Sequence, residues 1–343
     1  MPADVVVGVV GAGWAAREHC ESLARLGGTR VAGVCDVDPS AAQRLAADYG
    51  GRGVATVDDV LSMPDVNAVI VATPSGVHRA AVVPALERGV AVFVEKPLSR
   101  TVSDALDIVD VADRTGMVCA VGYQWRAVDS LPELRSAMSG TRIALLISQG
   151  IGITQARSWF TDPLLSGGLV FERVSHHIDL QRMIAGEVSS VSAVHGEVPL
   201  SGVTGYSERC EDVISLVLSF ASGAVGAVHV AWTPAEHPPT QALRILTTGD
   251  VFDLDLDPQF EVRRQGSAAP LATSGEHPFR RQLACFLHAV RTRDPGAVSC
   301  SARDAAGTVV VATAAERALS GQGPQFCGGV LATSASPMGG GRS

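Results

Sequence analysis

From Val5 to about Tyr123, short and continuously apolar runs alternate with amphipathic stretches. The runs at Val5 to Val10, Arg30 to Cys35, Ala68 to Ala72, Ala91 to Val94 and Met117 to Val121 read as strands, because a parallel sheet covered by helices on both sides has no polar face to show. Strand and helix in alternation predict a doubly wound α/β domain over residues 1–124. Past about Trp125 the rhythm changes. Strand-like segments follow one another at Thr141 to Gly150, Val188 to Val198, Asp212 to Ser219, Ala224 to Trp232, Leu243 to Thr247 and Gln259 to Arg264. Consecutive strands without helices between them predict an α+β domain with a large, open, mainly antiparallel sheet over residues 125–323. Helical patches interrupt it at Gly168 to Ile184, Phe279 to Thr292 and Ala302 to Leu319. The stretch 324–343 is rich in Ser, Gly and Pro with little to bury, and a flexible tail is expected there.

A chain of 343 residues suits two domains better than one. With 46% hydrophobic and 18% charged residues it can bury a large core. A net charge of -8 and the lack of a basic stripe argue against nucleic acid and anionic lipid as partners. No run approaches the roughly 20 apolar residues that span a bilayer, and the chain passes from Met1-Pro2-Ala3-Asp4 straight into a strand, so a cytoplasmic protein is expected. The seven cysteines are odd in number, scattered and without a C-x-x-C pair, as befits reduced thiols. An open sheet with one face bare of helices predicts a homodimer or homotetramer assembled through the C-terminal sheet.

The first strand runs into Gly11-Ala12-Gly13-Trp14-Ala15-Ala16 and then into a helix from Arg17 to Leu26. This is G-x-G-x-x-A between strand and helix, the dinucleotide fingerprint of a Rossmann domain. Gly11 permits the tight turn, Gly13 lets the backbone approach a pyrophosphate, and Ala16 lets helix and strand pack closely. The amides at Trp14 and Ala15 then face the phosphates at the helix N-terminus. The second strand ends in Cys35-Asp36, where a carboxylate accepts hydrogen bonds from a ribose 2′-hydroxyl and repels a 2′-phosphate. NAD is therefore expected over NADP, although Arg44 lies near enough in sequence to offer a phosphate a cation.

Ligands of such sheets lie at the carboxyl ends of the strands. Thr73, Pro74 and His78 follow the strand at 68–72, Glu95 and Lys96 follow the strand at 91–94, and Gln124 follows the last strand. All are expected to border the cofactor, although His78 shows no partner pattern of its own. A lysine between a buried strand and a proline is an unusual place for a solvated surface cation, and beside a developing alkoxide it would stabilise the charge. In Glu172-Arg173-Val174-Ser175-His176-His177-Ile178-Asp179 the positions 172, 176 and 179 share one face of a regular helix. His176 there has the chemistry of a general acid or base, and Asp179 could orient it. Zinc is a rival use of carboxylate and imidazole at helical spacing, but neither H-E-x-x-H nor a nearby cysteine is present, and no metal is expected. Trp125, Arg126 and Trp159 are candidate substrate contacts, Trp125 with packing between domains as an equal alternative.

The segments GAGWAAREH, CDVDP, VATPSGVH, VEKPLS, VGYQWR, SGGLVFERVSHHIDL and FRRQLACFLHAVRTRDP together resemble the Gfo/Idh/MocA oxidoreductases, which include glucose-fructose and inositol dehydrogenase types. The resemblance implies hydride transfer between a nicotinamide and a secondary alcohol or ketone of a sugar, amino sugar or cyclitol. It implies Lys96 as the residue that touches the reacting hydroxyl and His176 as the acid/base. The family commonly has an Asp four residues before that histidine, binding substrate; this chain has Glu172, one methylene longer. Relatives of this fold also include dinucleotide-binding sensors or co-repressors, and lyases or glycoside-cleaving enzymes that retain their NAD. Lys96 and His176 together favour the dehydrogenase over both.

Asp36→Ala is expected to raise kcat/KM with NADP relative to NAD by about tenfold, the worth of a hydrogen bond to a charged group. Unchanged discrimination would remove Asp36 from ribose recognition.

Overall fold

The computed structural model describes residues 5–153, 165–196, 212–233 and 239–327. Two compact units divide the chain: Met1–Gln124 with Pro278–Ala306, and Trp125–His277 with the segment from Gly307 onward.

The first unit begins with β1 (Val5–Val10), α1 (Trp14–Leu26), β2 (Thr29–Cys35), α2 (Pro39–Asp48), β3 (Arg52–Val54) and α3 (Val57–Leu61). It continues with β4 (Ala68–Val71), α4 (His78–Glu87), β5 (Ala91–Val94), α5 (Val102–Thr115) and β6 (Cys119–Val121). The strands pair in parallel in the order β3-β2-β1-β4-β5-β6, so the winding reverses next to β1 and opens a ligand crevice at the carboxyl ends. The strand Arg52–Val54 is too short and polar to stand out in the sequence; it forms because β2 offers it an edge.

The second unit contains α6 (Leu131–Ala137), β7 (Ile143–Ile153), α7 (Ser175–Ala185), β8 (Val188–His195), β9 (Val213–Phe220) and β10 (Val225–Thr233). After β11 (Thr240–Thr247), β12 (Val251–Asp257), β13 (Glu261–Arg264) and β14 (Ala272–Thr273), the chain forms α8 (Pro278–Thr292), α9 (Ala302–Arg317) and β15 (Gln325–Phe326). Among the described residues the sheet runs β14-β13-β12-β11-β7-β10-β9-β8-β15, parallel only between β7 and β10. β12, VFDLDLD, buries Phe252, Leu254 and Leu256 and turns its aspartates outward, a period-2 strand that the sequence reading left out.

α8 packs into the first unit. Its Leu283, Phe286 and Leu287 recur at helical spacing and share a core with Val5, Val7 and Val9 of β1 and Phe93 of β5. Residues 278–306, expected from sequence order within the second domain, therefore complete the Rossmann core.

One face of the large sheet is buried, with Leu216 and Leu218 of β9, Val228 and Trp232 of β10 and Ile245 of β11 in it. The other face alternates outward and leaves Ile151, Val217, Val225 and Leu246 exposed beside an Arg244–Asp253 ion pair. Burial pushes the thiols of Cys20 and Cys119 up to about 12 and that of Cys35 up to about 11, so these cysteines stay protonated and behave as small apolar side chains. No helix among the described residues is long and apolar enough to cross a membrane.

Candidate active site

The carboxyl edge of the parallel sheet carries one backbone hydrogen bond at each of four strand junctions. Gly11 N–H donates to Cys35 O at 2.8 Å, Ala72 N–H to Val10 O at 2.8 Å, Glu95 N–H to Val71 O at 2.9 Å and Gly122 N–H to Val94 O at 2.9 Å. Gly11 has φ +98, and a Cβ built on it would lie 2.4 Å from Ala72 O, so only glycine lets β1 turn against β4. A Cβ on Gly13 would meet nothing within 4 Å, which leaves the backbone at the start of α1 open to a ligand. No side chain caps this helix end, so the first amides of α1, at Trp14 and Ala15, lack intrahelical acceptors. Asp36 Oδ2 accepts the Ala12 N–H at 2.7 Å and Oδ1 accepts the Asp38 N–H at 2.8 Å. The carboxylate thus fixes the glycine turn and keeps lone pairs for further donors. Arg44 is tied to Ser40 at 2.9 Å and lies 3.8 Å from Asp38.

Thr73 Oγ1 and Gln124 Oε1 are buried without a hydrogen-bond partner. Such atoms at the carboxyl edge, with the open Gly13 backbone and the uncapped helix, fit a dinucleotide. Pro74 lies between Thr73 and a short turn at Ser75–Val77. His78 is fully buried, with Nε2 2.8 Å from Thr73 O and Nδ1 3.0 Å from Pro97 O. Burial pushes its pKa down against the opposing pull of those carbonyls. Its ring clamps the loops after β4 and β5 together, with both nitrogens engaged by backbone carbonyls.

Glu95 and Lys96 leave β5 together. His19 Nε2 donates to Glu95 Oε1 at 2.7 Å, and Glu95 Oε2 accepts the Lys96 backbone N–H at 3.2 Å. Burial alone would push the Glu95 carboxyl up, but the His19 hydrogen bond and the charge of Lys96 outweigh it and hold the carboxyl below its usual range. His19 was not singled out in the sequence. Its signal was its place on α1, eight residues after Gly11, with the apolar residues that face the sheet. A second signal also went unread: Lys96 is the only lysine in the chain, and the other 26 cationic side chains are all arginine. Arginine cannot give up its proton near neutrality and lysine can, so a lone lysine marks a place where the guanidinium does not serve.

In the second unit, a π-turn at Val170–Val174 leads into α7. Glu172 sits inside this turn, so the face it was expected to share with His176 and Asp179 is not that of a regular helix; such insertions recur at functional sites. Glu172 is buried and His176 half-buried. The Trp125 ring lies 5.0 Å from that of His176 and 4.9 Å, edge-on, from that of His177. Trp125 is 6% exposed, which fits packing against the histidines better than an open platform for a sugar. The Arg126 guanidinium forms a two-pronged bond to Asp179 at 2.7 and 3.0 Å, with both side chains buried and Thr308 donating to the same carboxylate at 2.9 Å. Asp179 is thus the counter-ion of Arg126. Trp159 lies outside the described residues, as do Arg157 and Phe160.

The comparisons decide the family. Residues 5–123 match the family model described as an oxidoreductase family with an NAD-binding Rossmann fold, and residues 142–252 match the GFO/IDH/MocA C-terminal domain. The chain belongs to the Gfo/Idh/MocA oxidoreductases. Inositol 2-dehydrogenase of Leifsonia xyli subsp. xyli is 29% identical over 227 residues, 65% of either chain. The rhizopine catabolism protein MocA of Rhizobium meliloti is 26% identical over 92% of this chain and 95% of its own. Among solved structures, levoglucosan dehydrogenase with NADH and L-sorbose superposes with TM-score 0.83 at 19% identity, covering 95% of this chain and 99% of that one. The WlbA dehydrogenase of Bordetella pertussis, with NADH and UDP-GlcNAcA, gives 0.81 at 19%, covering 94% and 97%. Both show the Gfo/Idh/MocA fold, and the first unit of this member is its NAD-binding Rossmann domain.

His177 is fully buried, its Nε2 3.0 Å from Gln241 Oε1. Burial, aided by Arg173 and opposed by Gln241, pushes its pKa down to about 3. An unfolded histidine titrates near 6.5, so as pH falls below about 6.5 the unfolded chain gains a proton that the folded chain refuses, and stability drops until about pH 3. His177→Gln is expected to reduce this acid loss by roughly 1.4 kcal/mol per pH unit, read from urea unfolding at several pH values. An unaltered slope would show that His177 titrates normally in the fold.

Proposed function

We propose that the chain is an NAD-dependent dehydrogenase acting on a secondary alcohol or ketone of a cyclitol, sugar or amino sugar. The observation that carries this reading is the chain's single lysine, set after β5 with its backbone bonded to the ionised Glu95, in a member of an NAD-binding oxidoreductase family. Relatives that act on inositol and the fold neighbours seen with sugars support the substrate class.

The tight turn at Gly11, the open backbone at Gly13 and the amides of Trp14 and Ala15 would hold the pyrophosphate, Asp36 the adenine ribose, and Thr73, Pro74, Glu95 and Gln124 the remaining cofactor edge. A bound nicotinamide supplies the acceptor or donor of the hydride. Lys96 donates to the reacting oxygen and stabilises the negative charge that grows there. His176 takes up the hydroxyl proton on oxidation and returns it on reduction; with Nδ1 buried, Nε2 is the exchanging nitrogen. Glu172 binds a neighbouring substrate hydroxyl. A non-catalytic sensor needs neither a proton carrier nor a lone lysine. The open face of the large sheet, with exposed Val217, Val225 and Leu246, packs against a second copy to form a homodimer or homotetramer.

With NAD and a cyclitol or sugar donor, Lys96→Ala and His176→Ala should each lower the single-turnover hydride-transfer rate by about 100-fold or more while the NADH dissociation constant changes little. Wild-type rates in either variant would remove that residue from the chemistry. Light scattering on the eluting protein should give two or four copies at micromolar concentration, and a monomer would overturn the assembly.

A further inference from the structure

We propose that His19 is a positioning residue for Lys96: its imidazole holds the Glu95 carboxylate, and Glu95 sets both the backbone and the charge around the chain's only ε-amine. The proposal rests on the reading of Lys96 as the group that meets substrate oxygen, and it assigns the residue behind that group.

The geometry is a relay of two contacts. The His19 side chain is wholly buried and Glu95 is 13% exposed, and they meet at 2.7 Å. The other carboxylate oxygen takes the Lys96 N–H at 3.2 Å. Space for the carboxylate comes from Gly122, after β6, where an added Cβ would stand 3.0 Å from Glu95 Oε2. The imidazole is fixed from two sides, stacked on Phe279 at 4.4 Å and edge-on to Phe93 at 4.9 Å. In this apolar slot Nδ1 is buried and has no partner, so the hydrogen-bond network assigns the ring proton to Nε2, facing Glu95.

Packing alone does not account for this choice. An aromatic hydrocarbon would fill the slot between Phe93 and Phe279 without burying an unsatisfied nitrogen. What the imidazole adds is a donor to a buried carboxylate. Without that donor the carboxylate would draw more strongly on the Lys96 charge that already helps hold it ionised, and so withdraw the ammonium from substrate. α1 therefore serves the site twice, with its first turn open for the dinucleotide and its second turn anchoring Glu95.

Because Lys96 is the only lysine, trace acetylation with acetic anhydride at neutral pH reads its reactivity directly, by mass spectrometry of its peptide with the chain's α-amine as reference. His19→Phe should slow Lys96 acetylation about fivefold, and His19→Gln, which can return an N–H to Glu95, should restore it to within about twofold of wild type. Glu95→Gln, which removes the charge beside the ammonium, should speed it about fivefold. Wild-type acetylation in a cooperatively folded His19→Phe protein, or equal defects in His19→Phe and His19→Gln, would overturn the proposal. If His19→Phe does not fold, unchanged reactivity in Glu95→Gln overturns it instead. NADH should shield Lys96 in the wild type. Failure to shield would count against the cofactor-side reading of Lys96, while the comparison among variants still decides the role of His19.

Discussion

The parallel register of the six-stranded sheet is the constraint on which the rest depends. Four interstrand hydrogen bonds at its carboxyl edge, from Gly11, Ala72, Glu95 and Gly122, set the heights at which the strands stop. The glycine turn at Gly11, the loop at Thr73 and the Glu95–Lys96 pair start from those stops. Gly11 can turn there only because it has no Cβ to strike Ala72 O, and Asp36 accepts the amide of the next residue, Ala12. The His78 ring, held between Thr73 O and Pro97 O, fixes the loops after β4 and β5 relative to each other. A slip of one residue in β1 would carry the glycine turn away from Asp36, which follows β2.

The second unit solves a different problem, that of putting polar groups beneath a buried helix. β7 carries Gly150 and Gly152 on its covered face. A Cβ on the first would strike the side chains of Gln241 and His177, and one on the second would strike the Arg173 guanidinium. The glycines give up β-propensity to make room for a buried imidazole–amide pair and for the Arg173 cation that acts on His177. Nearby, Asp179 and Thr308 hold Arg126, and Arg182 reaches Thr308 at 2.8 Å and Glu187 at 2.9 Å, so the charges under α7 are compensated within the unit.

Much of this could be read from the residues, for identifiable reasons. Strands such as Val5–Val10 and Ala91–Val94 are apolar on both faces and bounded by turn residues, which leaves little choice of period. The glycine turn, the acidic residue after β2 and the lysine after β5 carry chemistry in their spacing. What escaped was set by tertiary context. β12 alternates cleanly, but three aspartates obscure it. The place of α8 in the Rossmann core depends on contacts far away in sequence, and the π-turn before His176 has no composition of its own. The counter-ion of Arg126 was hidden in the same way, because Asp179 lies 53 residues on. The lone lysine was legible throughout and needed only counting.

The most direct test of the dehydrogenase assignment is absorbance at the reduced-nicotinamide band while the purified protein is incubated with NAD and a panel of cyclitols, sugars and amino sugars. Net, stoichiometric reduction of NAD with at least one member of the panel is the predicted result. No net reduction with any member, in a protein that binds NADH tightly, would contradict the account.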